Sequence, residues 1–296
     1  MAAFIENGLA FLESVTSFVT MRNKTSPESQ VTGKPRKNRD SSTGRWEGDP
    51  TQLLPTLQHT ELMGIISVLY GLLLHGAPER PTVVRSSVEE PRKIANHALS
   101  VAGAVLKVLN AVAQMDLTLL QASLGAKGVS LEYRHICTYL LWYCVHYNHT
   151  CLLHEVIVCV GYFTIGNRNN QDIVNSGAQP TILQQLCLLP FPYFSNRGLM
   201  SILFPSLIAC CHDNRENLET LEQEASGELL AVYIESEIEE RRSSDVVTKQ
   251  QGDNTIPDLI LPTEFLLSSM TYFKCDVNKN RDVRKDEVVT ASDVTS

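Results

Sequence analysis

Slid against itself by 47 residues, the chain repeats its own turns as well as its apolar spacing, and that constrains its fold more than any other feature. Asn167-Arg168 falls on Asn214-Arg215, Val160 on Leu207, Val174 on Leu221, Ala178 on Ala225, and Ile182-Leu183 on Leu229-Leu230. A third, fainter copy lies upstream, where Ser123-Leu124-Gly125-Ala126 resembles Asn175-Ser176-Gly177-Ala178 at an offset of 52. Apolar residues recur at three-to-four spacing and nowhere alternate for long, so the chain is expected to be all-α. Units of two or three helices repeating every ~40–47 residues have the period of armadillo/HEAT-like helical solenoids. One such unit cannot bury its apolar face alone, and stacking gives the units a shared core. The competing reading is an irregular helical bundle with similarly spaced helices.

The expected organisation is an amphipathic helix over 1–21, a polar basic linker over 22–49, a helical repeat domain over 50–235 and a divergent, largely disordered tail over 236–296. Ile5, Leu9, Leu12, Val15 and Val19 mark the first helix. Leu62, Ile65/Ile66, Leu69 and Leu72/Leu73 mark a second, ended by Gly76-Ala77-Pro78, and Ala98, Ala102, Val105, Leu109 and Val112 a long third. Further helices are expected over Leu131–His146, Leu152–Phe163, Thr181–Leu188, Leu199–Cys211 and Leu218–Ile234. Pro205 predicts a kink or a break into two short helices, because proline removes a hydrogen bond and crowds the preceding turn.

The longest near-apolar run, Leu62 to Leu74, is 13 residues and contains Gly64, Ser67 and Gly71. That is short of the ~20 residues a membrane-spanning helix needs, so no span is expected. Glu6 and Glu13 stand where a secretory signal would open with basic residues, so no such address is expected either. The eight cysteines include no Cys-x2-Cys pair and sit among apolar neighbours, as free core thiols in a reducing compartment do. The matches to the glycosylation pattern at Asn23 and Asn148 then read as accidental.

Charge is unevenly spread. The net formal charge is −8, and nine acids with no Lys or Arg lie between Glu216 and Glu240, which argues against general nucleic-acid binding. Between Arg22 and Asp49 the balance reverses, with seven basic residues against four acidic ones. This segment reads as a solvated linker, with a basic arm for RNA, an import receptor or an acidic partner as the sharper alternative.

Catalytic motifs are missing: there is no Gly-x-Ser-x-Gly, no phosphate-binding glycine loop and no His-Glu-x-x-His. Two segments carry ligand-type residues. His135, Cys137, Cys144, His146, His149, Cys151 and His154 are borderline or soft metal ligands, and a metal-dependent enzyme or zinc-binding protein using 135–154 is the alternative function. Their spacing matches no zinc pattern, and core packing is the competing reading. In the tail, Asp276, Asn278, Asn280 and Glu287 fall at positions 1, 3, 5 and 12 of a calcium loop, with Glu264 to Lys274 as an entering helix. Arg281 occupies the sixth position, where the sharp turn calls for glycine. Neither segment leads to an expected cofactor.

The stretch LLHEVIVCVGYFTIGNRNNQDIVNSGAQPTILQQLCLLPFPYFSN from Leu152, then LFPSLIACCHDN and LEQE, closely resembles the carboxy-terminal region of the S phase cyclin A-associated endoplasmic reticulum protein family. Similarity runs back through TELMGIISVLYGLLLHG to Asp49, covering Asp49 to about Glu235, or about three fifths of the chain. The resemblance implies a non-enzymatic adaptor of the cytosol and endoplasmic reticulum surface, with the nucleus as a further location. Implied partners are cyclin A with its kinase, a ribosome-associated tubulin autoregulation factor, and the deadenylase complex that shortens tubulin mRNA. The zinc-finger segment of full-length members has no counterpart here, so zinc binding and amino-terminal kinase contacts do not carry over, and the chain looks like a carboxy-terminal piece or short isoform. Beyond Pro257 the tail departs from the family. If the last helix of each unit lines a concave face, Gln184 and Gln185 are expected to clamp an extended peptide. A structural fragment with no partner of its own is the remaining alternative.

Overall fold

The computed structural model describes residues 59–76, 93–244 and 259–274. Every regular element among them is an α-helix, and no strand occurs there. The chain divides into two compact units, Met1–Ser123 and Leu124–Ser296. The expected helix over 1–21, the linker over 22–49 and the loop residues Asp276, Asn278, Asn280 and Glu287 lie outside the described residues.

In the first unit, α1 (His59–Gly76) packs on α2 (Asn96–Met115), and α3 (Leu117–Gly125) follows at the unit's edge. The expected spacing is the buried spacing: Leu62, Ile66, Leu69 and Leu73 of α1 and Ala98, Ala102, Val105, Leu109 and Val112 of α2 are all buried. One expectation is revised here. By length and hydropathy the 20-residue α2 is apolar enough to cross a membrane, and 56% of its most apolar 18-residue stretch is buried inside the protein. A soluble core helix shows that same combination, because the buried stripe must be continuous. Asp116 ends α2 and caps α3, its Oδ1 accepting the Leu119 N–H at 2.9 Å.

The second unit contains α4 (Val129–Tyr147), α5 (Thr150–Thr164), α6 (Arg168–Val174), α7 (Ile182–Cys187), α8 (Pro192–Ser195), α9 (Arg197–Cys211), α10 (Arg215–Glu224), α11 (Gly227–Ser244) and α12 (263–274). Its most extensive packing is α5 on α9, and α4 also packs on α5. Gly161 lets the helices close: a Cβ there would come within 3.2 Å of the Ser206 Cα. Ser206 Oγ then donates to the Ile157 carbonyl at 2.8 Å across the buried crossing. α9 runs through Pro205 as one helix, without the expected break. Pro205 is itself buried in the packed face, so tertiary contacts hold the turn that the proline weakens.

The 47-residue offset reappears bond by bond. Gly166 and Asp213 both take positive φ, 63° and 55°. The next residues, Asn167 and Asn214, accept the N–H groups of Asn170 (3.2 Å) and Asn217 (3.1 Å) on their side chains. Asn170 Nδ2 donates to the Phe163 carbonyl at 2.9 Å, and Asn217 Nδ2 to the Cys210 carbonyl at 2.8 Å. Even the surface pairs repeat, Arg168–Asp172 and Arg215–Glu219. For the upstream copy the equivalent cap is Asp116, 51 residues before Asn167, one residue from the offset of 52 read in the sequence.

The two turns also interlock. Gln171 Nε2 donates to the carbonyls of Ala209 (2.9 Å) and His212 (3.0 Å), while Asn217 Nδ2 donates to the Gln171 carbonyl (3.0 Å). Asn170, Gln171, Asn214 and Asn217 are all buried, so these amides satisfy backbone carbonyls that water cannot reach.

Two boundaries differ from expectation. The helix expected over Leu218–Ile234 is two helices, because Ala225 is extended (φ −142°, ψ 161°) and Ser226 Oγ accepts the Glu228 N–H at 3.2 Å. The tail expected from 236 instead begins as the last turns of α11, and 259–274 later returns to pack on the unit, with Leu259, Leu261, Leu266 and Phe273 buried. Substituting Asn217→Ala orphans two buried carbonyls, so with ~1–3 kcal/mol per unsatisfied group the expected loss is about 3 kcal/mol. Urea unfolding measures it, and a change below about 0.5 kcal/mol, the range of an ordinary surface substitution, contradicts a core role for the turn.

Candidate functional site

Helical periodicity separates the ligand-type residues of 135–154. Cys137 and Cys144, seven apart on α4, both enter the core. Beside them Tyr133, fully buried, donates its hydroxyl to Cys159 Sγ at 3.6 Å and packs its ring on Phe163, with centroids 4.6 Å apart. His146 lies parallel on Trp142 at 5.7 Å, and His149 parallel on Tyr143 at 5.6 Å. Cys151 is exposed. Among the described residues no three His, Cys, Asp or Glu side chains gather where they could hold a metal ion. The geometry therefore gives no support to 135–154 as a zinc or metal-dependent catalytic site: Cys137 and Cys144 are core residues, Cys151 faces outward, and His146 and His149 stack on aromatic rings. His154 is engaged elsewhere, its Nε2 2.9 Å from Tyr193 Oη, which ties α5 to α8. Burial lowers the His154 pKa and pushes that of Tyr193 up to about 12.

Gln184 and Gln185 sit on α7, half-buried. Gln184 completes a capping box: its Oε1 accepts the Thr181 N–H at 2.9 Å while Thr181 Oγ1 accepts the Gln184 N–H at 3.2 Å. Gln185 Nε2 donates to the Pro180 carbonyl at 3.2 Å. Both side chains thus hold the loop that leads into their own helix. Arg134 of α4 braces the same loop from the other side, donating to Ser176 Oγ at 2.8 Å. Its guanidinium lies against Gly177, whose φ of 98° suits glycine.

The acidic stretch occupies α10 and α11. Glu216, Glu219, Glu222, Glu224, Glu228, Glu235, Glu239 and Glu240 are exposed, and beside them Leu229 and Val232 leave 44% and 59% of their surface uncovered. Three of these acids pair with cations from elsewhere in the unit or from α10 itself: Arg215 with Glu219, Arg197 with Glu240, and Lys274 with Glu235. Such exposed pairs are each worth about 0–1 kcal/mol, so the surface keeps a predominantly negative field.

A further surface was missed in the sequence, where 236–296 read as tail. Residues 259–274 lie against Gly161 of α5, against His212 just past α9, and against α11. Leu259 reaches the slot left by Gly161, and Arg241 Nη1 donates to the Leu261 carbonyl at 2.8 Å. The His212 ring packs on Phe265 at 4.6 Å, and burial lowers its pKa, with Asp213 acting in the opposite direction. The spacing of Leu259, Leu261, Leu266 and Phe273 was the legible signal. The helix expected from Glu264 to Lys274 as the entrance to a calcium loop is part of this docked segment.

Burial also sets a pH limit. It pushes the thiols of Cys144, Cys159, Cys187 and Cys210 up to about 12 from the usual 9.0, and raises those of Cys137 and Cys211 well above it. Their contribution to stability is therefore fully present below pH 9 and is lost as the pH rises toward 12, at up to about 1.4 kcal/mol per thiol per pH unit. The expected result is a melting temperature that falls progressively across that window under reducing conditions. A melting temperature unchanged from pH 9 to 11 contradicts buried thiols.

No family model matches the chain. Over 188 residues, 63% of its length, it is 45% identical to a human protein named S phase cyclin A-associated protein in the endoplasmic reticulum. The match covers 13% of that relative, so the chain spans only a small part of the curated protein it resembles.

Proposed function

We propose that this chain is a non-enzymatic adaptor, a helical scaffold that binds a protein partner at the endoplasmic reticulum surface and in the cytosol. The observation that carries the reading is the 45% identity over 188 residues to a protein named for association with cyclin A and for the endoplasmic reticulum. A cyclin A complex is accordingly the first partner to test. In the finer form of the proposal, the chain joins a ribosome-associated tubulin autoregulation factor to the deadenylase complex, and also enters the nucleus.

The architecture we propose is an armadillo/HEAT-like solenoid. It is supported by the two turns that repeat at 47 residues with positive φ at the same position, the same asparagine cap and the same amide-to-carbonyl bond. Units that share a stacked core give an extended surface suited to holding partners. In this reading the α7 face belongs to that surface, where the exposed bond from Gln185 to Pro180 is one a bound peptide can replace.

Immobilised full chain is the reagent that tests the proposal. It is expected to retain purified cyclin A–kinase complex or to sediment with ribosomes, and failure with both overturns the adaptor reading.

A further inference from the structure

Residues 259–274 meet the second unit in the manner of a bound ligand. Ahead of the helix, Leu259-Ile260-Leu261-Pro262 buries alternate side chains, Leu259 and Leu261, and leaves Ile260 59% exposed. A helix follows with one buried face, Leu266, Ser269 and Phe273, and Leu267 turned outward. The floor beneath is built of small residues: a Cβ on Gly161 would collide with Leu259 Cδ2 and with Ser206 Oγ. At one end of the seat Arg241 donates to the Leu261 carbonyl and to Thr263 Oγ1, gripping backbone at its first contact. At the other, Glu235 pairs with Lys274. His212 supplies a side wall against Phe265, Tyr272 and Ser268.

We infer that this seat is a docking groove for an amphipathic segment of a protein partner, occupied in cis by residues 259–274. The partner segment carries the pattern Leu-x-Leu-x4-Leu-x6-Phe-Lys that the occupant displays. Two observations separate an occupant from a core element. The ion pair at its far end is half exposed on both sides, 48% for Lys274 and 50% for Glu235, so it holds weakly in water. The segment joins α11 through 14 intervening residues, long enough for it to leave without unwinding the helix. An amphipathic helix laid in an apolar groove is a familiar mode of peptide recognition. The inference deepens the adaptor reading by naming a surface and the chemistry of its partner.

The test keeps the full chain and places a specific protease site between residues 245 and 258. After cleavage, a fluorescent peptide of residues 259–274 is expected to exchange into the nicked chain saturably, and into the uncut chain about tenfold more weakly, because the tethered segment competes. Arg241→Ala, a surface change, is expected to lower peptide affinity about tenfold, the loss typical of an interface anchor. A peptide with Leu261→Asp and Leu266→Asp is expected not to bind. A nicked segment that neither leaves nor exchanges overturns the inference, as does uptake indifferent to Arg241→Ala. Uncut chain that forms a dimer through this segment assigns the groove to a second copy and overturns the partner reading. Failure here leaves cyclin A or ribosome capture untouched, so the two proposals fail separately.

Discussion

Side-chain amides that donate to buried carbonyls across successive turns are the interaction on which the second unit depends. A buried carbonyl without a donor costs about 1–3 kcal/mol, and the ends of α5 and α9 would leave several such groups facing each other. Asn170, Gln171 and Asn217 answer them within hydrogen-bonding distance, each from a turn that apolar helices alone could not have closed. Because each amide reaches back to the preceding helix or across to the neighbouring turn, the spacing between the two turns is set by polar geometry as much as by apolar packing. The close crossing at Gly161 and Ser206 depends on that registration, since a slip would bring side chains into a gap with room only for hydrogen or hydroxyl.

This explains which parts of the fold were legible in the sequence. Asn167-Arg168 and Asn214-Arg215 stood out at 47 residues because their role, capping and bridging, admits few residue types. The long helices were legible because their apolar stripes coincide with buried positions such as Leu62, Ile66, Ala102 and Leu109. The break at Ala225-Ser226 was hidden, since the apolar spacing runs on while the backbone turns on a serine cap. At Pro205, of the kink or break that the proline suggested, the break does not occur, because packing around a buried proline can hold a helix that propensity alone would divide. The docked segment 259–274 was lost among polar neighbours, although its four buried apolar residues carried the signal.

For the candidate sites, composition promised more chemistry than geometry provides. Histidine and cysteine in 135–154 are numerous, but a helix distributes residues by angle: Cys137 and Cys144 face the core, Cys151 faces outward, and His146 and His149 lie on aromatic rings. Gln184 turned out to be committed to its own helix start, a use that the Thr-x-x-Gln spacing at Thr181 announces. What remains outward is a set of surfaces: the acidic faces of α10 and α11, the α7 edge, and the seat under 259–274.

That the polar turns belong to the core can be measured by native-state hydrogen exchange. Backbone amides of Asn170, Gln171, Asn217 and Leu218 all donate to cap residues in the interlocked turns. If those turns hold the unit together, these amides exchange only as slowly as the interior amides of α5 and α9, through the same global opening. Exchange through local opening, with α5 and α9 still protected, would show that the turns are surface connections and contradict the account.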